Sequence, residues 1–373
     1  MPSPTIFYLT NIYFDDGAVD LLDQVLDELG VARPMMVTDP GLAKLGVLGQ
    51  LPLEGAAVFD KVPANPTESA VNVALDGYRE GGCDGIVAVG GGSSIDLAKA
   101  VALLTEHPGP LASYATVIRG TKPITPNLPP VVAIPTTAGT GSEVGRAALI
   151  TLTSGDKLAL VSPHLIPRAA ICDPELTMSL PAALTAATGM DAISHCVETF
   201  CSPDYNPVAE AIAIDGLRRA YFNITTVTAQ GNHSAARREM MMAALQGGLT
   251  FQKGLGAVHA LSHPLGGLAK RSLHHGTLNA VFLPHVLRFN AGACPQKLKT
   301  IAEHLDISDP VMLPEVFDDL TRQLHLPSTL REMGLTEADL KPMAEKALRD
   351  HCSATNPRPM TLEDCRDLYM AAW

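Results

Sequence analysis

The first 180 residues alternate between helical and strand-like patterns, and this alternation limits the possible fold more than any other feature of the sequence. Apolar residues repeat at helical spacing over residues 18–29 and stop at Gly30, which predicts a helix with a glycine cap. The apolar segment 33–38 then predicts a short buried strand. A second helix, predicted to begin at Pro66, precedes a strand predicted over residues 85–89 in the same way.

Further apolar runs predict three more strands, at residues 131–134, 158–161 and 169–171. These runs are too continuous for a sheet with one face in water, so we expect a mostly parallel sheet with helices on both faces. After Pro181 the strand patterns fade, and long segments rich in Ala, Leu and Met follow, as at residues 207–221. The sequence therefore predicts an α/β domain over residues 1–180 and an all-helical domain over residues 181–373.

The charge balance argues against two classes of partner. The chain has 39 Asp and Glu against 27 Lys and Arg, a formal charge of −12, and no run rich in Lys or Arg. Because nucleic acids and anionic membranes need clustered positive charge, we expect small-molecule partners, with no nucleic acid and no membrane. The N-terminus lacks signal-peptide features, and the seven cysteines show no CxxC spacing. We therefore expect a cytoplasmic protein with reduced thiols.

Two glycine-rich loops follow predicted strands. The segment GGGSSIDLAKA (residues 90–100) and the segment PTTAGTGSE (residues 135–143) each allow close approach to a ligand, and a helix N-terminus suits a phosphate. A tight strand-to-helix turn is the alternative for each loop, and the usual GxGxxG fingerprint is absent. Asp39 follows the strand at 33–38, where it would either bind a ribose diol or form a turn before Pro40.

Histidines cluster in the second half of the chain, where five of the twelve fall within residues 259–285. Asp191 and His195 are four residues apart, as are His259 and His263, so each pair shares one face of a helix. One carboxylate with three neutral imidazoles can hold Fe²⁺ or Zn²⁺ and leave a position for a substrate oxygen. The sequence therefore predicts a metal site in the helical domain.

Seven segments in this order resemble the iron-containing (group III) alcohol dehydrogenases. They are VTDPGL, PANPT, GGGSSIDLAKA, PTTAGTGSE, GMDAISHCVE, GAVHALSHPLGG and HHGTLNAVFLPHV. The resemblance covers nearly the whole chain. It implies a dehydroquinate-synthase-like fold, with an N-terminal α/β dinucleotide-binding domain, an all-helical C-terminal domain and an active site in the cleft between them.

The resemblance also implies an activity and a set of site residues. The activity is the reversible oxidation of a small alcohol to its aldehyde or ketone by hydride transfer to NAD, at a site holding Fe²⁺ or, alternatively, Zn²⁺. The implied metal ligands are Asp191, His195, His259 and His275, and His263 would lie near the substrate as a proton relay. The implied cofactor contacts are Asp39, Asn65, Gly91, Gly92, Ser93, Thr136, Thr137, Thr140, Lys157, Thr177 and Leu180.

Several alternatives remain open from the sequence. His274 competes with His275 as the fourth ligand, although the HGxxNAxxLP pattern favours His275. A dehydroquinate-synthase-like lyase would share the fold, NAD and a metal, but it would need a Glu-His-His ligand set and a basic phosphate pocket. A metal-free reductase resembling maleylacetate reductase would not need all four ligands. The family also implies a homodimer or a higher homo-oligomer.

Overall fold

A computed structural model describes Tyr8 and residues 10–115, 122–268, 271 and 273–373. The chain forms two compact units. The first, called here the α/β unit, contains the described residues up to Thr137 together with Gly141–Ser179. The second, called the helical unit, contains Ala138–Thr140 and Leu180–Trp373.

The α/β unit contains eight strands among its described residues. They are β1 (Asn11–Phe14), β2 (Pro34–Val37), β3 (Ala57–Phe59), β4 (Gly85–Gly90), β5 (Val131–Pro135), β6 (Ala147–Thr151), β7 (Lys157–Val161) and β8 (Ala169–Cys172). Six of them form a parallel sheet in the order β1-β8-β5-β4-β2-β3. The other two, β6 and β7, form a separate antiparallel hairpin. Four α-helices belong to the described part of this unit: α1 (Leu22–Leu29), α2 (Pro40–Lys44), α3 (Glu68–Glu80) and α4 (Gly92–Glu106).

The parallel sheet is buried on both faces, as its continuous apolar runs predict. Along β4, Ile86 and Ala88 pack into one core, whereas Val87 and Val89 pack into the other. Successive side chains of a strand point to opposite faces, so a strand covered on both sides needs apolar residues at every position. The fold class expected from the sequence is confirmed.

The predicted elements agree with the structure except at short segments. Gly30 caps α1 in the left-handed conformation, as predicted, and α3 begins two residues after Pro66 because the Thr67 side chain accepts a hydrogen bond from the Ala70 amide. The strand predicted at 158–161 exists as β7, but it lies in the hairpin and not in the parallel sheet. Strands β1, β3 and β6 were not predicted.

The helical unit contains ten α-helices among its described residues. They are α5 (Ala182–Cys201), α6 (Pro207–Ala229), α7 (Ser234–Thr250), α8 (Ala257–Gly266), α9 (His275–Asn290), α10 (Pro295–His304), α11 (Leu313–Gln323), α12 (Glu337–Leu340), α13 (Met343–Arg349) and α14 (Leu362–Ala371). No helix in the described part of the chain has the length and hydropathy that a membrane span requires.

Candidate active site

Four side chains of the helical unit place their ligand atoms around one point. Asp191 Oδ1 lies 3.5 Å from His195 Nε2, 3.7 Å from His259 Nε2 and 3.6 Å from His275 Nε2. One ligand atom from each of the four residues lies within 4.8 Å of every other. Asp191, His195 and His259 are buried, and the His275 side chain is about a quarter exposed, at 23%. The four residues therefore form a compact cluster with one side open.

Three helices bring these residues together. Helix α5 carries Asp191 and His195 on one face, α8 carries His259, and α9 begins at His275. A Cβ added to Gly276 would lie 2.0 Å from the Ala187 carbonyl oxygen, so only glycine allows α9 to approach α5 this closely. The HG pair in the sequence therefore joins a predicted ligand, His275, to the glycine that permits its helix to approach α5. His274 is the residue before α9, and the structure groups His275, not His274, with the other three ligands.

Glu198 supports the cluster from a second layer. It lies seven residues after Asp191 on the same face of α5, and its Oε2 is 2.5 Å from His259 Nδ1. Its Oε1 accepts a hydrogen bond from the Val258 amide at 2.6 Å, in the first turn of α8. A carboxylate at a helix N-terminus is stabilised by the helix dipole. By accepting the Nδ1 proton, Glu198 fixes the His259 tautomer whose Nε2 is free to bind a metal.

Two further contacts orient the other residues of the cluster. His195 Nδ1 lies 3.2 Å from the carbonyl oxygen of Gly139, which directs Nε2 toward Asp191. Asn279, one helical turn after His275, donates from Nδ2 to Asp191 Oδ1 at 2.7 Å. The same nitrogen lies 3.1 Å from His259 Nε2 and 3.2 Å from His275 Nε2. Asn279 therefore contacts three of the four residues.

The residues of the cluster shift one another's pKa values. Burial alone would raise the pKa of Asp191, but the neighbouring charges of His195 and His275 and a hydrogen bond from His259 lower it well below its usual value. Burial lowers the pKa of His195 to about 4. Burial opposes protonation of His259, but the charge of Glu198 and hydrogen bonds with Asp191 and Glu198 raise its pKa to about 9. The cluster therefore contains an ionised carboxylate and a neutral His195, and metal binding would have to displace a proton from His259.

The donor set fits a divalent transition metal. Metal–nitrogen and metal–oxygen bonds of about 2.0–2.2 Å place tetrahedral ligand atoms roughly 3.3–3.6 Å apart, close to the separations seen here. Three imidazoles and one carboxylate suit iron or zinc and not magnesium or calcium, which prefer oxygen ligands. The set carries a single negative charge, so a bound divalent ion would keep one positive charge for an anionic substrate oxygen.

His263 lies beside the cluster. Its ring stacks on His275 with centroids 5.4 Å apart and an angle of 16° between the planes. Its Nδ1 lies 2.9 Å from Asp350 Oδ2, and this carboxylate is 87 residues away in the sequence. Burial would raise the pKa of Asp350, but the charge and hydrogen bond of His263 lower it to about 2. Asp350 is therefore an ionised partner that orients the His263 ring.

In the α/β unit, several of the cofactor positions predicted from the sequence lie at the carboxyl ends of adjacent parallel strands. Asp39 follows β2, Gly91 and Gly92 follow β4, and Thr136 and Thr137 follow β5. Ligands of open parallel sheets bind at this edge. A Cβ built on Gly91 would lie 3.3 Å from Thr137, and one built on Gly90 would lie 3.5 Å from Asp39 Oδ2, so the three loops are close neighbours.

Most of the polar groups at these positions also have local structural roles. Asp39 Oδ1 accepts from the amides of Gly41 and Leu42 and caps α2, so the turn role expected for this residue is present. Lys157 Nζ donates to Asn65 Oδ1 at 2.9 Å, which brings these two predicted contacts together. The remaining side-chain contacts are Ser93 Oγ to the Ala64 carbonyl and Thr177 Oγ1 to the Pro174 carbonyl, both at 2.7 Å.

Thr140 and Leu180 belong to the helical unit. The carbonyl oxygen of Leu180 accepts hydrogen bonds from Arg237 Nη2 at 3.2 Å and from Thr185 Oγ1 at 3.3 Å. Arg237 itself is buried without a carboxylate partner among its described contacts, and its Nε donates to the Gly231 carbonyl at 2.7 Å. These bonds fix the backbone at the start of the helical unit.

Comparison with known proteins identifies the family. Residues 10–174 match the family model described as "Iron-containing alcohol dehydrogenase", and residues 185–373 match the model of the C-terminal region of Fe-containing alcohol dehydrogenases. The chain belongs to the iron-containing alcohol dehydrogenase family. The resemblance drawn from the motifs is thereby confirmed.

Named relatives of this alcohol dehydrogenase agree over nearly its full length. It is 50% identical to a 4-hydroxybutyrate dehydrogenase from Cupriavidus necator, covering 97% of each chain. It superposes on a crystal structure of 1,3-propanediol oxidoreductase with a TM-score of 0.90 and 37% identity, covering 99% of this chain and 100% of the other. A sulfoacetaldehyde reductase from Bifidobacterium kashiwanohense in complex with NAD⁺ gives a TM-score of 0.88 and 27% identity, covering 99% and 98%.

These relatives establish the class of reaction. The protein is an NAD-dependent oxidoreductase of alcohols and aldehydes, and its family uses iron.

Three residues that support the cluster were not predicted as site residues. Glu198 and Asn279 continue helical spacings from Asp191 and His275, so a search at i+7 and i+4 would have found them. Asp350 offers no such signal, because it meets His263 only through the tertiary fold.

Proposed function

We propose that this alcohol dehydrogenase interconverts a short ω-hydroxy acid, such as 4-hydroxybutyrate, and its aldehyde. The substrate class is supported by the 50% identity to a 4-hydroxybutyrate dehydrogenase over 97% of each chain. Oxidation removes a hydride from the carbon that bears the hydroxyl group and a proton from its oxygen. The hydride reduces NAD⁺ to NADH, and the proton leaves to solvent.

The observation that carries the proposed mechanism is the convergence of Asp191, His195, His259 and His275 within 4.8 Å. In this proposal the four residues hold Fe²⁺, and Zn²⁺ fits the same donors. When bound, the ion supplies a Lewis acid that favours the ionised hydroxyl and polarises the aldehyde carbonyl. Neither a lyase nor a metal-free reductase has an observation in this chain that favours it over this arrangement.

We assign His263 the role of proton relay. Its ring stacks against the metal ligand His275, and Asp350 accepts its Nδ1 proton, so the opposite nitrogen, Nε2, is left to accept the proton of the substrate. Asp350 also lies near His351, whose side chain is 32% exposed, with Nδ1 3.5 Å from Asp350 Oδ1. This series of groups leads from the cluster toward solvent.

We also propose that the two parts of the chain bind different groups. Residues 1–180 would bind NAD through Asp39, Asn65, Gly91, Gly92, Ser93, Thr136, Thr137, Thr140, Lys157, Thr177 and Leu180, of which Thr140 and Leu180 belong to the helical unit. Residues 181–373 would bind the metal. The strand-end positions of most of these residues support this assignment, because phosphates bind at such loops.

The assembly and location are further proposals. A homodimer is supported by β1, which forms one edge of the six-stranded sheet, since an edge strand can pair with a second copy. Light scattering coupled to size-exclusion chromatography should give twice the mass of one chain. A cytoplasmic location is supported by the seven free cysteines.

An absorbance screen at the NADH band tests the proposed substrate. Iron-loaded protein is assayed with NAD⁺ and 4-hydroxybutyrate, 1,3-propanediol and 1-butanol, the last of which lacks the distal polar group. We expect the highest kcat/KM for 4-hydroxybutyrate. A higher value for 1-butanol would contradict the hydroxy-acid assignment, and no activity with any alcohol or the matching aldehydes would contradict the whole proposal.

A further inference from the structure

A second group of metal-binding side chains lies beside the first. His263, Asp350, His351 and Cys352 can each offer one ligand atom, and these four atoms lie within 4.8 Å of one another. We call these residues the second cluster. None of them belongs to the ligand set of Asp191 and the three histidines. His263 comes from α8, and the other three are consecutive residues that follow α13.

Three short separations connect the side chains of the second cluster in series. Asp350 Oδ2 lies 2.9 Å from His263 Nδ1, and its Oδ1 lies 3.5 Å from His351 Nδ1. Cys352 Sγ lies 3.5 Å from His351 Nε2. Bonds of about 2.0–2.3 Å to Zn²⁺ place tetrahedral ligand atoms roughly 3.3–3.8 Å apart. One ligand atom from each of the four side chains lies within 4.8 Å of the others, so the side chains must move closer together to enclose an ion.

The backbone already holds three of the ligands in place. Asp350 precedes a short 3₁₀ helix (His351–Thr355), and its Oδ1 accepts a hydrogen bond from the Cys352 amide at 2.9 Å. Cys352 is 1% exposed, whereas the His351 side chain is 32% exposed. The second cluster therefore has a buried side and a side through which an ion can enter.

The donors of the second cluster differ from those of the first in charge and softness. One carboxylate and one thiolate would neutralise a divalent ion, and with two imidazoles they would fill all four tetrahedral positions. Such a closed site leaves no position for a substrate. The sulfur ligand favours Zn²⁺ over Fe²⁺, both because it is soft and because affinity for divalent ions rises along the first transition series.

Ion binding here must displace a proton. Burial and the charges of Asp350 and Glu198 raise the pKa of the Cys352 thiol well above its ordinary value. A coordinated thiol is deprotonated outright, because the charge of the ion outweighs this effect. The His263 proton moves from Nδ1 to Nε2 as Nδ1 becomes the ligand, so one proton is released for each ion bound.

We propose that the second cluster is an inhibitory Zn²⁺ site. Its occupation takes His263 Nδ1 away from Asp350 as a hydrogen-bond partner and blocks the Nε2 atom with a proton, so His263 can no longer accept one. The inhibition rests on the proposed role of His263, whereas the binding of the ion does not. An experiment can therefore contradict the inhibition without contradicting the binding of Zn²⁺ to the second cluster.

Cobalt titration tests the binding. A cobalt–thiolate bond produces a charge-transfer absorption in the near ultraviolet, and the first cluster contains no thiolate that could cause it. Metal-free protein is titrated with Co²⁺ while bound metal is counted by elemental analysis. We expect two equivalents per chain and the thiolate band. The band should be lost in Cys352→Ser and kept in His275→Ala, which removes a ligand only from the first cluster.

Two results would overturn the site. One is a single equivalent of Co²⁺ without the band. The other is a band that survives in Cys352→Ser and disappears in Cys294→Ser or Cys201→Ser, which would place the thiolate elsewhere. His351→Ala provides a second variant at a position about one-third exposed, so a folding defect in Cys352→Ser does not decide the result. His351→Ala should weaken binding of the second equivalent at least about 10-fold.

Zinc inhibition tests the consequence. Iron-loaded wild type and Cys352→Ser are assayed with increasing Zn²⁺, each relative to its own zinc-free rate, and retained iron is measured in the same samples. We expect half-inhibition of the variant to need at least about 10-fold more Zn²⁺ than the wild type. Equal inhibition of both, with loss of iron, would reflect exchange at the first cluster and would contradict the inhibitory role. A second equivalent of bound Zn²⁺ without inhibition would contradict the relay role of His263 and leave the site itself supported.

Discussion

The two units of this protein build their functional positions in different ways. In the helical unit, side chains from α5, α8 and α9 direct four ligand atoms at one point, and further side chains such as Glu198 hold them there. In the α/β unit, the predicted cofactor positions are loops at strand ends. Several of their side chains are already engaged, as when Asp39 caps α2. Convergent side chains thus mark the proposed metal site clearly, whereas a proposed cofactor site made largely of backbone is harder to recognise.

This difference predicts different responses to mutation. Removing one side chain from the metal cluster leaves an incomplete coordination sphere, so we expect large losses. Removing one side chain from a backbone cradle leaves most contacts in place, so we expect changes in preference. An α/β variant that abolishes activity without unfolding would break the comparison.

The largest effect is expected for His275→Ala. Losing this imidazole should remove most bound iron and lower kcat/KM more than about 100-fold, because losses in the supporting layer alone typically cost 10- to 100-fold. Bound iron, measured by elemental analysis, and kcat/KM are determined on the same sample. His274→Ala is the matched control and should retain one equivalent of metal. The reverse result would make His274 the ligand.

The next largest effect is expected for Glu198→Ala. Its carboxylate bonds both His259 Nδ1 and the Val258 amide, so its loss frees a ligand and weakens the first turn of α8. We expect metal affinity to fall about 10- to 100-fold, measured by competition with a chelator. Glu198→Gln keeps the acceptor for Val258, so it should retain more thermal stability than Glu198→Ala while still binding metal weakly. Unchanged affinity in both variants would show that Glu198 has only a capping role.

In the α/β unit we expect Asp39 to set the choice between NAD and NADP. A carboxylate facing a 2′-phosphate repels it, so Asp39→Gly should narrow the preference for NAD by about 10-fold in kcat/KM. Asp39→Asn is the matched control, because it removes the charge and retains a side chain that caps α2. Both variants should narrow the preference for NAD over NADP, and Asp39→Asn should be more stable than Asp39→Gly. A wild type that prefers NADP would contradict the assignment.

The smallest effect concerns stability and pH. Burial raises the pKa of Glu143 to about 7, against the opposing charge of Lys99. The folded state then keeps this proton up to about pH 7 and the unfolded state only to about pH 4.5, so the stabilising contribution is full below pH 4.5 and lost as pH rises through 7. The free energy of unfolding of Glu143→Gln, measured relative to that of the wild type, should therefore rise by about 1–3 kcal/mol as the pH goes from 4.5 to 8. Urea unfolding measures both variants. The control Glu80→Gln, at an exposed position, should show no change with pH relative to the wild type.

The sequence predicted the fold well where periodicity is long. The helix ending at Gly30 and the buried strand β4 were found because each has an unbroken pattern that also matches the tertiary environment. Strands β1 and β3 lie at the two edges of the sheet and are only partly buried, so they lack the continuous apolar pattern of β2 and β8 and were missed. The hairpin partner of β7 could not be seen either, because sequence patterns do not show which strands pair.

The site shows the same limit. Asp191 with His195, and His259 with His263, were visible because helical spacing predicts a shared face. The closeness of α9 to α5 depends on Gly276 meeting the Ala187 carbonyl, and no spacing rule predicts that contact. Asp350 reaches His263 across 87 residues, so only the folded chain shows the pair.

Iron titration of metal-stripped protein tests the central claim most directly, which is that the first cluster holds one catalytic ion. Bound iron and NADH formation are measured in the same anaerobic samples. We expect no activity without metal, a linear rise with added Fe²⁺ and a plateau at one equivalent per chain. Zn²⁺ should bind at least as tightly and restore less activity. Full activity in protein that elemental analysis shows to be free of metal would contradict the account.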